Sequence, residues 1–225
     1  MKKILFILMA VLIVSAAYAA PRAESASQRR WNMVEKYVSR AITASDLDKE
    51  NEFGDTPVFA AAKKGDVQAL LNMQNKTNNG AFLLKTGKDG NNVFHVARNA
   101  ETFQALARLI RHFYPTEYKA KIHLLMNQRN QLNEMPVQTQ INYGHADTFF
   151  LAYSYTDLAD KIKSVKAKLD KGGLVAEVAQ AEVAEVFAQS QDASGRTLAQ
   201  AARDNHAAAG MDKVVDFLAT QAPYL

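Results

Sequence analysis

The 225-residue chain has no cysteine. That excludes a thiol nucleophile, a disulfide framework and lipid attachment through an N-terminal cysteine, so packing alone must hold the fold. Long apolar runs are missing too. The run Ile4 to Val14 has eleven residues, well short of the ~20 that a helix needs to span a bilayer. Tryptophan occurs once, at Trp31, and strand-like alternation is nearly absent, which points to an all-α chain. No G-x-S-x-G element, phosphate-binding glycine loop or dinucleotide fingerprint is present. The five histidines include no H-x-x-x-H pair, and no carboxylate completes a zinc set. No basic stripe interleaved with aromatics suggests nucleic acid. Neither a cofactor, nor a metal, nor a nucleic-acid partner is expected.

What the chain does have begins with its leader. Lys2-Lys3, the apolar run and Ala17-Tyr18-Ala19 make a charged region, a short hydrophobic region and an A-x-A site, the order of a secretory signal. Residues 1–19 are expected to be removed after Ala19, leaving a periplasmic or secreted protein with no stable membrane insertion. The alternative is an uncleaved anchor. Removing the leader takes two lysines with it, so the net charge of +4 falls to +2. Residues 20–27 are small and polar and read as a flexible leader. A helix follows in which Trp31, Val34, Tyr37, Val38 and Ala41 share a face, within an N-terminal capping segment over 28–50.

The most informative stretch is Gly54-Asp55-Thr56-Pro57-Val58-Phe59-Ala60-Ala61-Ala62-Lys63-Lys64-Gly65. Gly54 suits a turn with positive φ, Thr56 a helix cap, Pro57 the first helical position and Gly65 the helix end. The pattern returns at Gly90-Asn91-Asn92-Val93-Phe94-His95, at Asn133-Glu134-Met135-Pro136 with Gly144-His145, and at Gly195-Arg196-Thr197-Leu198. Three residues before each turn position stand Asn51, Gly87, Asn130 and Asp192. This resembles the ankyrin repeat, G-x-T-P-L-H-x-A-A-x-x-G. The spacings of 36, 43 and 62 residues exceed its period of about 33, so the units are degenerate and carry insertions.

The resemblance implies an all-α, ankyrin-like helical repeat solenoid. Repeats one to three are expected over 51–153 and the fourth with a C-terminal cap over 192–225. Within them Phe94 to Asn99 is expected as the second unit's first helix and Glu117 to Met126 as an extra helix. Between 154 and 191, Leu158, Ile162, Val165 and Leu169 precede Gly172-Gly173, and Val175, Val178, Val183, Val186 and Phe187 follow it. This reads as an inserted helical hairpin or, alternatively, a repeat that has lost its turn signature. His95 falls where the resemblance puts a structural histidine, with Asn92 as its partner.

The same resemblance implies a concave face of turn tips and first helices that binds a partner protein. Carried over position by position, it comprises Phe53, Asp55, Lys63, Lys64, Asn91, Leu132, Glu134, Asn142, Tyr143 and Arg196. Asp55, Lys64, Glu134, Tyr143 and Arg196 are expected at the surface. Phe53 and Tyr143 either project from the tips or pack beneath neighbouring segments. The function expected is a non-enzymatic interaction scaffold. The alternative is an enzyme or enzyme inhibitor with its site in the 154–191 insertion.

Overall fold

The computed structural model describes residues 43–221. The leader, the segment 20–27 and the helix carrying Trp31 lie outside the described residues. The described part of the N-terminal segment is a 3-10 turn, Ala44–Asp46, ahead of the buried Leu47.

Four turns set the frame of the fold. In each, the N–H of the residue three before the turn position donates to the carbonyl one beyond it: Asn51 to Asp55 (2.9 Å), Gly87 to Asn91 (2.8 Å), Asn130 to Glu134 (3.0 Å) and Asp192 to Arg196 (3.1 Å). The turn residue's own N–H then returns to the first residue's carbonyl, from Gly54, Gly90, Asn133 and Gly195 at 2.9 to 3.0 Å. All four turn residues have positive φ, at 77°, 73°, 58° and 76°. Glycine reaches that region freely, and asparagine tolerates it best among residues with a Cβ. The side-chain oxygens of Asn51, Asn130 and Asp192 each accept two N–H groups within their own turns, the local bonding for which Asn and Asp favour turns.

Helices grow out of these turns. In the first unit α1 (Pro57–Lys64) starts at Pro57, runs through three buried alanines and ends at Gly65, whose φ of 81° is left-handed. Its capping residue, Thr56, keeps extended backbone, but its hydroxyl is buried without a partner. Asp66 then caps α2 (Val67–Met73) by accepting the Ala69 N–H. The second unit departs from expectation. Residues 93–96 form hydrogen-bonded turns and no α-helix, and the unit's long helix is α3 (Ala100–Phe113), capped by Asn99. From Gly54 to the cap Asp66 is twelve residues, whereas from Gly90 to the cap Asn99 is nine. The unit is short by about one helical turn.

An additional helix, α4 (Tyr118–Asn127), precedes the third turn, which leads into α5 (Pro136–Asn142) and α6 (Ala146–Tyr153). A hairpin follows, of α7 (Asp157–Asp170) and α8 (Ala176–Ala188), reversing at Gly172-Gly173. The fourth unit supplies α9 (Leu198–Asp204), opened by a Thr197–Gln200 capping box, and α10 (Met211–Gln221). No strand occurs among the described residues.

The second helices stack in one layer, α2 on α3, α3 on α6 and α6 on α10. In the other layer α5 packs on α9. The third and fourth units therefore stack directly, although the hairpin lies between them in sequence. A single core runs through the units. Phe94 packs on Phe103 at 4.7 Å between centroids, and Phe149, Tyr153 and Phe217 interlock across the last two units. The fully buried Phe94, Phe103 and Phe149 each contribute roughly 1.5–3 kcal/mol. The result is an all-α, ankyrin-like helical repeat solenoid.

Candidate functional site

Turn tips and first helices bring most of the expected binding residues together on one side. Neighbouring tips are tied by backbone bonds: the Gln131 N–H donates to the Asp89 carbonyl at 3.0 Å, and the Ala193 N–H to the Leu132 carbonyl at 2.9 Å. These bonds line up the second, third and fourth tips.

Within three units the residue just after the turn reaches the residue nine positions past it. Asp55 is ion-paired with Lys63. The Asn142 amide donates to Glu134 at 2.6 Å. Arg196 lies 3.6 Å from Asp204. One geometry thus carries an acid and a base, an acid and an amide, and a base and an acid. Lacking a helical turn, the second unit has no such clasp, and the Asn91 side chain accepts from the Asn130 amide at 2.9 Å instead.

The clasp corrects the expected exposure of two residues. Asp55 and Glu134 are only 5% and 8% exposed, because each folds back on its partner from the first helix. Lys63, Lys64, Arg196, Asn91 and Asn142 are partly buried, as is Phe53. Lys64 also lies 3.8 Å from Asp66. Leu132 and Tyr143 project, at 60% and 59% exposure. The Tyr143 ring lies 5.8 Å from that of His145. Its hydroxyl pKa is raised by burial first and then by the charges of Glu134 and Asp89.

Behind the tips lies a buried polar network that compensates for the missing helical turn. His95 is fully buried. Its Nδ1 accepts the Asn92 N–H at 3.1 Å and its Nε2 donates to the Glu134 carbonyl at 2.9 Å. Burial holds its pKa down to about 4, outweighing the bond to Glu134, so the ring is neutral. The Gln140 amide donates to the carbonyls of Phe94 and His95, at 3.0 and 3.3 Å. The Asn92 amide donates to the Leu125 carbonyl and the Gln128 side chain. At the position of His95, the third unit carries Gln138, which donates to the Arg196 carbonyl at 3.2 Å. The two side chains do the same work in successive units.

Beside the hairpin is a cleft of about 210 Å³ lined by residues including Arg129, Asp157, Lys161, Gln189 and Ser190. Its polar groups are engaged with one another and with the backbone. Arg129 donates to the carbonyls of Asn133, Gln189 and Gln191, Lys161 donates to Gln189, and the Ser190 hydroxyl donates to the Phe187 carbonyl. Asp157 accepts His123 at 2.8 Å. The cleft is a joint between the hairpin and the stack. Among the described residues, no three histidine or acidic side chains are grouped to hold a metal. No described helix is long and apolar enough to cross a membrane.

No protein-family model matches the chain, and no curated protein matches it. Among solved structures, the chain is similar to one titled "Crystal Structure of EF0377 an Ankyrin Repeat Protein". The two are 19% identical over 87% of this chain and 94% of the other, with a TM-score of 0.40. The repeat architecture rests on the molecule's own geometry: four turns with the same backbone bonds, two stacked helical layers and three clasps.

Sequence reasoning missed Asp204 and the clasp to which it belongs. The signal was available by counting nine residues from each turn position, which reaches Lys63, Asn142 and Asp204. In the second unit the same count lands on Asn99, which is occupied as a helix cap.

Proposed function

We propose that the chain is an exported, non-enzymatic scaffold whose concave face of tips and first helices holds a partner protein. The observation that carries this reading is the pair of projecting apolar side chains, Leu132 and Tyr143, beside the clasped residues Asp55, Lys63, Glu134, Asn142 and Arg196. Exposed aromatic and aliphatic side chains on a rigid frame are frequent interface anchors. A frame of stacked units presents them with little ordering cost on binding. Export is supported by Lys2-Lys3, the short apolar run and the A-x-A site, and the location that follows is the periplasm or the outside of the cell.

Two measurements test this. The N-terminus of the mature protein should read from Ala20, and a chain beginning at Met1 in a membrane fraction would replace export with anchoring. A partner recovered from the native envelope should be lost from Leu132→Ser and Tyr143→Ala but kept by Asp216→Asn on α10. Equal retention by all three variants would remove the concave face as the binding surface.

A further inference from the structure

The third turn differs from the other three at the residue that takes positive φ. Gly54, Gly90 and Gly195 stand there in the other units, whereas the third has Asn133, at 58°. Among the described residues it is the one non-glycine with positive φ, a conformation that glycine enters more freely. Asparagine brings a side chain that glycine lacks. Its amide donates to the Gln191 carbonyl at 3.0 Å. Gln191 lies in the segment by which the hairpin returns to the stack, after α8 and before the fourth turn.

Arg129, just ahead of the third turn, completes the link. Its Nη1 donates to the carbonyls of Asn133 at 2.6 Å and Gln191 at 3.1 Å, and its Nη2 to that of Gln189 at 2.7 Å. A planar guanidinium donates in fixed directions, so it sets the orientation of the segments it joins, and its charge strengthens each bond. From α7 the Lys161 amine donates to the Gln189 side chain at 3.1 Å, so both helices of the hairpin bear on this segment. The Leu132 carbonyl accepts the Ala193 N–H at 2.9 Å. The tip that projects Leu132 is thus fastened to residues 189–193.

We propose that the hairpin is a clamp for the Leu132 tip. Through Arg129 and Asn133 its returning segment holds that tip in place, and loosening the hairpin loosens this tip and not the first unit's. The proposal rests on the reading of the concave face as a protein-binding surface and adds a means of regulating it, because a tip already held in place has less to lose in ordering when a partner binds.

Amide hydrogen exchange of the whole protein, followed by NMR, tests the clamp. The N–H groups of Asn130, Asn133 and Ala193 report on the tip, and those of Asn51 and Gly54 in the first turn serve as reference, all being bonded in the fold. Arg129→Met cannot donate and should raise exchange at the three reporting groups at least about tenfold. Asn133→Gly separates the clamp from the backbone. Glycine relieves the left-handed conformation, so a turn governed by its backbone alone would exchange more slowly, whereas loss of the bond to Gln191 should speed exchange at Asn130 and Ala193 several-fold. Val183→Ala, at a buried position on α8, loosens the hairpin itself. It should speed exchange at Asn133 in the parent protein and add little in the Arg129→Met background. Unchanged exchange at Asn133 in Arg129→Met or in Val183→Ala, slower exchange in Asn133→Gly, or an equal rise at Asn51 and Gly54 would overturn the clamp. None of these readouts needs a partner, so their failure leaves the scaffold reading standing, and that reading is decided separately by capture with Leu132→Ser and Tyr143→Ala.

Discussion

The first and second units share one turn and differ in almost everything built on it. The first has a complete α1, a left-handed glycine to end it and its own ion pair between tip and helix. The second has lost a turn of helix, so the carbonyls of Phe94 and His95 have no helical partners. The third unit supplies them, through Gln140 and through the Glu134 carbonyl that receives His95. A repeat can therefore shed a helical turn when its neighbour takes over the orphaned backbone groups. The consequence is placement: polar bonds that are internal to the first unit lie at an interface in the second, where their loss uncouples neighbours.

The largest effect should come from Gln140→Leu. Leucine matches the size of glutamine but leaves two buried carbonyls without a donor, at about 1–3 kcal/mol for each orphaned group. A loss of about 3 kcal/mol in urea unfolding is expected. Lys63→Met, which breaks the first unit's clasp at a partly exposed site, should cost less. If Lys63→Met proves the more damaging, the second unit does not depend on borrowed bonds.

The borrowed bonds also make stability depend on pH. His95 has a pKa of about 4 in the fold and an ordinary value of 6.5 when unfolded. Between these values the unfolded chain binds the extra proton, so stability is complete above about pH 6.5 and declines as the pH falls toward 4. The full difference is about 3 kcal/mol. The lowered pKa of His145 acts in the same direction. His95→Gln puts into the second unit the residue that already works in the third, at Gln138. It should lose about 1 kcal/mol at pH 7 with the Nδ1 bond and flatten the decline between pH 6.5 and 4. A decline as steep in His95→Gln as in the parent protein would assign the pH dependence elsewhere.

What was legible in the sequence follows the same division. The four turns could be located because positive φ selects glycine or asparagine and because Asn and Asp serve their own turns. α1 was readable from Thr56-Pro57 at its start and Gly65 at its end. The missing turn of helix was not. Val93, Phe94, Val96 and Ala97 are as apolar in a buried turn as in a helix, and only the distance to the cap at Asn99 distinguishes them. Of the apolar residues expected on the face of turn tips and first helices, Leu132 and Tyr143 project, whereas Phe53 is partly buried. Asp55 and Glu134 were expected at the surface because the resemblance puts their positions at the turn tips, whereas each is covered by a partner eight residues ahead.

A middle-sized effect is expected at Gly65. Its φ of 81° is unfavourable for any residue with a Cβ, and a Cβ there would lie 3.2 Å from the Arg98 side chain. Gly65→Val should destabilise the array by at least about 1 kcal/mol. Tyr143→Ala should stay within about 0.5 kcal/mol, as exposed substitutions usually do. Thermal melts of the two variants side by side make the check, and a lower melting point for Tyr143→Ala would contradict its place at the surface.

The smallest effect tests why the second unit departs from its neighbours at the first residue of its turn. Asn51, Asn130 and Asp192 each serve two N–H groups there, whereas the second unit has Gly87. A Cβ on residue 87 would lie 3.3 Å from the Phe59 ring. Phe59 holds the position where the second and third units carry His95 and Gln138. It cannot donate to the following turn, and its ring fills the space the turn's side chain would use. Gly87→Asn alone should therefore bring little gain or a small loss, because the new turn bonds are offset by contact with the ring. With Phe59→Leu the ring recedes, and the same asparagine should stabilise the double variant by about 1 kcal/mol more than the two single changes together. A double-mutant cycle measured by urea unfolding gives this coupling directly. If the changes add to within about 0.3 kcal/mol, contact with Phe59 is not what keeps the turn's side chain out of the second unit.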